Sequence, residues 1–108
     1  MRYKLSHHIN LPVADIAAAK KFYGEVLHLP QAARNDELIE FTDGTLHMYL
    51  DAEWKNPGPI FEFEVEDLEA ARDELLAEGC TVIRWEGVGK SNYMRDPFGY
   101  QFNLWQKR

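Results

Sequence analysis

The sequence predicts an α+β fold made of duplicated βαβββ modules, and two observations support this prediction. The first is an internal repeat: residues 9–19 align with residues 61–71, and Val13 and Asp15 match Val65 and Asp67 at one spacing, close to half of the 108-residue chain. The second is that each copy opens with alternating apolar and polar residues and continues with apolar residues at helical spacing. Two copies indicate a duplicated unit, because a solenoid needs at least three repeats.

Each copy is predicted to run as a strand, a helix and three further strands. Asp15 and Asp67 are expected to cap the two helices, and Gly79 is expected to end the second. Apolar residues spaced for one buried helix stripe in the first copy are Ile16, Ala19, Phe22, Tyr23, Val26 and Leu27, and in the second copy Leu68, Ala71, Leu75 and Leu76. The other strands are predicted at about 31–34, 37–42, 45–50, 81–85, 91–95 and 100–105, with turns at about 35–36, 43–44, 87–89 and 96–99.

Composition limits the classes of partner. The chain is 45% hydrophobic and 28% charged, as is usual for a globular protein. A net charge of −6 without a basic cluster argues against nucleic acid as a partner. No apolar run approaches the roughly 20 residues of a membrane span, and the first residues lack the apolar core of a signal peptide. The single cysteine, Cys80, cannot form an internal disulfide, which fits a cytoplasmic location.

The segment 51–59, which contains Asn56-Pro57-Gly58-Pro59, is interpreted as the linker between the copies. The modules then span about 1–52 and about 58–108. Because the linker is short, we expect the modules to pack as a single domain over residues 1–108 or to exchange with a partner chain.

Several motifs together resemble the vicinal oxygen chelate superfamily, which includes glyoxalase I, bleomycin-resistance proteins and extradiol dioxygenases. These motifs are Val-x-Asp-Ile/Leu at residues 13–16 and 65–68, a helix carrying Phe22-Tyr23, and the turn Asp96-Pro97-Phe98-Gly99 before an apolar last strand. The resemblance covers nearly the whole chain. It implies a glyoxalase-like fold, in which curved mixed sheets form a ligand cup, and it implies a homodimer.

The resemblance also implies a divalent metal, held by the first and last strands of each module, that acts as a Lewis acid on two adjacent substrate oxygens. His8 matches the first ligand position. The equivalent position in the second module is Ile60, which cannot bind a metal, and the last-strand position is Asn103, whose amide is a weak ligand. His47 or Tyr49 could stand at the remaining position. We therefore expect no metal at the family's usual site and no other cofactor.

A relocated metal site is the alternative. Glu62 lies two residues beyond Ile60 and therefore on the same strand face. His8, His47 and Glu62 could form a two-histidine, one-carboxylate site for a divalent metal, which makes His8 and Glu62 the candidates for catalysis. The competing interpretation is that Glu62 and Glu64 are solvated or paired with a base such as Arg95.

The residues expected to line the cup are polar or aromatic. They are His8, Asn10, His47, Tyr49, Glu62, Glu64, Gln101, Asn103 and Trp105. A sheet face packed only for stability would be apolar, because burying an unpaired polar group costs about 1–3 kcal/mol. A polar concavity edged by aromatic rings is typical of a site for small molecules.

Three functions remain open from the sequence. The preferred one is a protein that binds a small organic molecule without the family's usual metal, as bleomycin-resistance-like members do. The alternative is a metal-dependent lyase, isomerase or dioxygenase acting on a substrate with vicinal oxygens. The third is a protein-interaction domain with a vestigial cup. Whether the protein is an enzyme is not decided by these residues.

Overall fold

The computed structural model describes residues 2–34, 38–52 and 58–107. Their order repeats βαβββ twice and confirms the predicted α+β fold. The first copy contains β1 (Lys4–Pro12), α1 (Ile16–Lys21), β2 (Gln31–Arg34), β3 (Leu38–Thr42) and β4 (His47–Asp51), and the second contains β5 (Ile60–Glu64), α2 (Leu68–Ala77), β6 (Thr81–Trp85), β7 (Asn92–Arg95) and β8 (Gln101–Trp105). The predicted turn at Asn35-Asp36 and linker residues 53–57 lie outside the described residues.

Contacts divide the chain into two compact units. The first unit is His7–Pro59, and the second contains the residues before His7 together with those from Ile60 onward. Strand β1 therefore begins in the second unit and continues in the first. The packing of both modules as a single domain stays a prediction. In the part of the chain that is described, neither helix has the length and apolar character needed to cross a bilayer.

The sheet of the first unit has the strand order β2-β3-β4-β1. β1 runs parallel to β4, and the other two pairs are antiparallel, so the sheet is mixed. Alternation sends Ile39, Phe41 and Leu50 to one face, where they form a buried core with residues of α1. The strand predicted at about 45–50 begins at His47, so Leu46 lies before β4 and is exposed.

The first helix differs from the prediction in its second half. Asp15 caps it as expected, accepting from the Ala18 amide at 3.0 Å. The α-helix ends at Lys21 and continues as a π-helical segment, Phe22–Val26. A π-helix bonds residues five apart, so its wider turn shifts the side-chain positions.

This shift changes which apolar residues are buried. Tyr23 packs against the core of the first unit, whereas Phe22, Val26 and Leu27 are 49%, 59% and 49% exposed. The prediction of one continuous buried stripe along this helix is therefore wrong.

The second unit repeats the plan with the strand order β5-β8-β7-β6. β5 is parallel to β8, and the remaining pairs are antiparallel. Helix α2 follows the Asp67 cap and ends at Ala77, and Gly79 stands just beyond its end, where a φ of 99° suits glycine. Leu68 and Ala71 are buried as predicted, although Leu76 is exposed. Cys80 is buried in this core, and its burial raises the pKa of the thiol.

The predicted turn at 96–99 is confirmed. The Asp96 side chain accepts hydrogen bonds from the amides of Phe98 and Tyr100 at 2.8 and 2.9 Å, and Gly99 has a φ of 96°. The turn thus places β8 beside β7 with Arg95 opposite Gln101.

Tyr3 joins the start of the chain to α2. Its hydroxyl donates to Glu74 Oε1 at 2.9 Å. Burial, and then the neighbouring Glu74, raise the pKa of Tyr3 from 10.0 to about 12. Because the folded-state pKa is raised, the stabilisation is complete below the unfolded-state value and is lost as the pH rises toward 12.

Replacing Tyr3 with phenylalanine should therefore have two effects. At about pH 9 the loss of the hydrogen bond should lower the free energy of unfolding by about 0.5–1 kcal/mol. At higher pH the variant should lose less stability than the wild type, so the difference should shrink. Urea unfolding at about pH 9 and at a higher pH measures the difference in stability between the wild type and the variant. Tyr100→Phe, at an exposed tyrosine, is the control. An unchanged difference at the two pH values would contradict the assignment of the raised pKa to Tyr3.

Candidate functional site

Polar side chains share the sheet face of the first unit that is opposite to its apolar core. The register pairs His8 with His47 and Asn10 with Tyr49 between parallel strands, and Thr42 with His47 between antiparallel ones. Paired residues project to the same side of a sheet. This set is termed the polar face of the first unit and comprises His8, Asn10, Glu40, Thr42, His47, Tyr49 and Asp51.

Three rings form the centre of this face. The His8 ring stacks on the His47 ring with centroids 4.8 Å apart and on the Tyr49 ring with centroids 5.6 Å apart, at interplanar angles of 23° and 26°. His8 Nδ1 also forms a hydrogen bond of 2.7 Å with the Tyr49 hydroxyl. The three residues are only partly buried, so they present aromatic surface together with polar ring atoms.

Glu40 is a residue of this face that the sequence analysis missed. Its Oε2 atom lies 2.5 Å from His47 Nδ1. The side chain of Glu40 is 19% exposed and that of His47 is 32% exposed. Alternation along β3 was the available signal, because Ile39 and Phe41 face the core and Glu40 must then face the other way.

Asn10 and Asp51 complete the polar face at the far end of β1 and β4. Asn10 Nδ2 donates to Asp51 Oδ2 at 3.3 Å. Of the predicted site residues, the structure thus brings His8, Asn10, His47 and Tyr49 together on one face of the first unit.

The other predicted residues share a sheet face of the second unit. The register pairs Glu62 with Asn103 and Glu64 with Trp105 between parallel strands, and Gln101 lies two residues before Asn103 on β8. Alternation therefore places these side chains on one side. The predicted cup lining is distributed over two polar faces, one in each unit.

Glu62 is bound by neighbours within the second unit. Its Oε2 accepts from the Ser6 hydroxyl at 2.7 Å, and its Oε1 accepts from Asn103 Nδ2 at 3.2 Å. Asn103 Oδ1 in turn accepts from the Asn92 amide at 3.4 Å. Arg95, considered as a partner for the glutamates, donates instead to the Gly99 carbonyl at 2.9 Å.

The histidines of the first unit do not fit the divalent metal that the family resemblance implies. Imidazole binds zinc through a lone pair in the ring plane at about 2.0–2.1 Å. The rings of His8 and His47 are stacked in nearly parallel planes, 23° apart, so one ion cannot lie in both ring planes close to a nitrogen of each ring. The hydrogen bonds of His8 with Tyr49 and of His47 with Glu40 hold these two orientations.

The family positions of the second unit fit the metal no better. Ile60 is 1% exposed and has no donor atom, and Asn103 uses both ends of its amide in hydrogen bonds. Across residues 2–34, 38–52 and 58–107, no three His, Cys, Asp or Glu side chains are grouped for metal binding. In the relocated set, the structure brings His8 and His47 together, while Glu62 belongs to the second unit and is bound by Ser6 and Asn103.

A separate cavity of about 350 Å³ lies at the start of α2 in the second unit. It is lined by Glu66, Asp67, Leu68, Glu69, Trp85, Gly87, Val88 and Gln106. Its polar atoms include caps of the helix: Asp67 accepts from the Ala70 amide and Gln106 Oε1 accepts from the Leu68 amide. None of the predicted site residues lines this cavity.

Comparisons with solved structures support the fold. A hypothetical protein of Bacillus halodurans C-125 is 17% identical, with a TM-score of 0.71 over 100% of this chain and 96% of that chain. A glyoxalase/bleomycin resistance protein/dioxygenase superfamily member from Vibrio splendidus 12B01 is 18% identical, with a TM-score of 0.67 over 99% and 98%. Homoprotocatechuate 2,3-dioxygenase of Brevibacterium fuscum is 20% identical, with a TM-score of 0.69, and the match covers 97% of this chain and 37% of that one.

These identities are low, so the similarities establish the fold and not a shared activity. No curated protein matches the chain. A family model described as the Glyoxalase/Bleomycin resistance protein/Dioxygenase superfamily matches residues 5–104, which is nearly the whole chain. The chain therefore belongs to the glyoxalase/bleomycin resistance protein/dioxygenase superfamily.

Proposed function

We propose that the protein binds a small, planar organic molecule on the polar face of the first unit, without the family's usual metal site. The observation that carries this proposal is the ring cluster, in which His8 stacks on both His47 and Tyr49. Aromatic rings favour offset stacking, and such a pair contributes about 0.5–1.5 kcal/mol beyond the buried area. The polar atoms around the rings would orient a ligand that stacks there.

The second candidate is a metal-dependent lyase, isomerase or dioxygenase acting on vicinal oxygens. One observation favours it: Glu40 bonds to Nδ1 of His47, and a carboxylate at this nitrogen is typical of histidines that bind a metal through Nε2. The nearly parallel rings of His8 and His47 argue against it. Catalytic roles for His8 and Glu62 are proposed only if this second candidate function is correct.

The proposal extends to assembly and location. A homodimer is proposed because short chains bury little of their surface, and Phe22, Val26 and Leu27 present apolar area that a second copy would cover. A cytoplasmic location is proposed because the thiol of Cys80 is free and buried. The contribution of Glu62, Gln101, Asn103 and Trp105 to ligand binding is also proposed.

The test uses nitrogen-15 spectra of the untagged protein titrated with planar aromatic probes, namely phenol, benzamide and benzoate. Saturable shifts are expected at the amides of β1 and β4. His8→Ala should weaken binding about tenfold, because it removes the ring that stacks on both neighbours. His7→Ala is the matched control, since His7 is exposed and alternation places it on the opposite face.

Three outcomes would contradict the proposal. Equal effects of the two substitutions would show that binding occurs elsewhere. Near-stoichiometric metal in the purified protein, lost on His8→Ala, would favour the metal-dependent enzyme. Absence of saturable binding by all probes would favour a protein-interaction domain.

A further inference from the structure

We infer that Glu40 is a positioning residue that fixes the tautomer of His47, and that the ligand presents an N–H or O–H donor to His47 Nε2. The first half of this inference stands on the geometry of the first unit. The second half rests on the proposed function, because it names the chemistry of the ligand that the ring cluster would hold.

The position of Glu40 follows from the register of β3 and β4. Thr42 is directly opposite His47, and Glu40 is directly opposite Tyr49. Glu40 and His47 are therefore diagonal neighbours, a separation that long side chains can bridge. The contact of 2.5 Å between Glu40 Oε2 and His47 Nδ1 shows that they do so.

This contact decides which ring nitrogen of His47 carries hydrogen. An ionised carboxylate can only accept, so Nδ1 must be the donor in the Glu40 contact. In neutral imidazole the other nitrogen then has no hydrogen and acts as an acceptor. In the neutral ring, the hydrogen bond to Glu40 thus makes Nε2 of His47 an acceptor.

Nε2 of His47 is the atom left to meet a ligand. Among residues 2–34, 38–52 and 58–107, the structure gives His47 one hydrogen bond, and that bond is to Nδ1. Glu40 is the more deeply buried partner, at 19% exposure against 32% for His47. A molecule stacked in the ring cluster can therefore satisfy this acceptor by donating an N–H or O–H.

The hydrogen bond between His8 and Tyr49 does not by itself fix which ring nitrogen of His8 carries hydrogen. The Nδ1 atom of His8 bonds to the Tyr49 hydroxyl, and a hydroxyl can either donate or accept. This bond alone therefore does not decide which of the two atoms donates. The hydrogen-bonding sense of His47, by contrast, is set by its contact with Glu40, which makes Glu40 a determinant of specificity.

The first experiment observes the tautomer directly and needs no ligand. Long-range proton–nitrogen spectra of the labelled protein, recorded at a pH where the spectra show the ring to be neutral, report which ring nitrogen carries hydrogen. Wild-type His47 is expected to carry it on Nδ1. Glu40→Gln keeps the shape but replaces the pure acceptor with an amide that also donates, so the population with hydrogen on Nε2 should rise.

The matched control is Glu25→Gln, at an exposed glutamate of the π-helical segment of the same unit. It removes the same charge and should leave the His47 tautomer unchanged. Wild-type His47 with hydrogen on Nε2 would overturn the assignment. The same tautomer population in wild type and Glu40→Gln would also overturn it.

The second experiment compares phenol with anisole, which differ in the hydrogen-bond donor. Phenol should bind the wild type about fivefold more tightly, the effect of one net hydrogen bond, and Glu40→Gln should reduce this preference to near one. Equal binding of phenol and anisole to the wild type would overturn the inferred recognition but not the proposed function. Absence of binding by both would overturn the recognition and count against the proposed function, while the tautomer measurement would still decide the role of Glu40.

Discussion

Replacing Asn92 with alanine is expected to lower the free energy of unfolding by about 3 kcal/mol, because it leaves several buried backbone groups without partners. Asn92 is fully buried, although its side chain is polar. Its Oδ1 atom accepts from the amides of Glu86 and Gly87 at 2.9 and 2.8 Å. Its Nδ2 atom donates to the carbonyls of Gly87, Lys90 and Leu104 at 2.9, 3.0 and 3.4 Å.

These bonds give Asn92 a role that an apolar residue of similar size could not take. They hold the segment between β6 and β7, where Gly87 has a φ of 103°, and tie it to β8 through the Leu104 carbonyl. The loss of one such partner costs about 1–3 kcal/mol when the other group stays buried. The total loss of stability is smaller than the sum over all these hydrogen bonds, because water can enter the space that the side chain leaves.

Urea unfolding of Asn92→Ala measures this loss, and Lys90→Ala is the control. The Lys90 side chain is exposed while its carbonyl still accepts from Asn92, so the control should change stability by less than about 0.5 kcal/mol. Amide exchange should accelerate at Glu86 and Gly87. A loss below about 1 kcal/mol with unchanged exchange at these amides would show that Asn92 does not organise the segment.

The parts of the fold that were predictable from sequence depend on local physics. The Asp15 and Asp67 caps each bond to an amide three residues later, and Gly79 ends α2 through a backbone conformation that glycine adopts without strain. Each of these features requires one residue type at one position. The repeat then allowed the same assignment to be made twice.

The π-helical segment shows why the spacing of apolar residues did not predict which side chains of the first helix are buried. Apolar residues stand at helical spacing from residue 16 to residue 27, so the pattern is compatible with one α-helix. The change to bonds five residues apart occurs at Phe22–Val26, where Tyr23 packs against the core of the first unit, and a one-dimensional pattern does not contain that packing. Val26, at the end of this segment, is exposed.

The pairing within each polar face depends on strand register. Alternation predicts that Glu40 and His47 share a face, but it does not say which residues on neighbouring strands meet. That is decided by the turn between β3 and β4, where Asp43 accepts from the amides of Thr45 and Leu46, bonds that lower the pKa of its carboxyl group. Turn geometry fixes the register and thus the contact between Glu40 and His47.

Moving the negative charge from position 62 to position 103 should show that the family's last-strand ligand position, Asn103, serves the structure of the second unit. Asn103→Asp removes the amide that donates to Glu62 Oε1 at 3.2 Å and places two carboxylates opposite each other on paired strands. Loss of a hydrogen bond to a charged group and repulsion between like charges should together lower the free energy of unfolding by about 2 kcal/mol.

The matched variants are Glu62→Gln and the double variant Glu62→Gln/Asn103→Asp. The first keeps an oxygen that can accept from Asn103 and should cost less than Asn103→Asp. In the double variant, the amide introduced at position 62 can donate to the carboxylate introduced at position 103, so about 1–2 kcal/mol of the loss should be recovered. Urea unfolding of the four proteins gives the coupling free energy. Additive effects would mean that the two side chains do not stabilise each other, and Asn103 would then return as a candidate ligand-binding residue instead of a structural one.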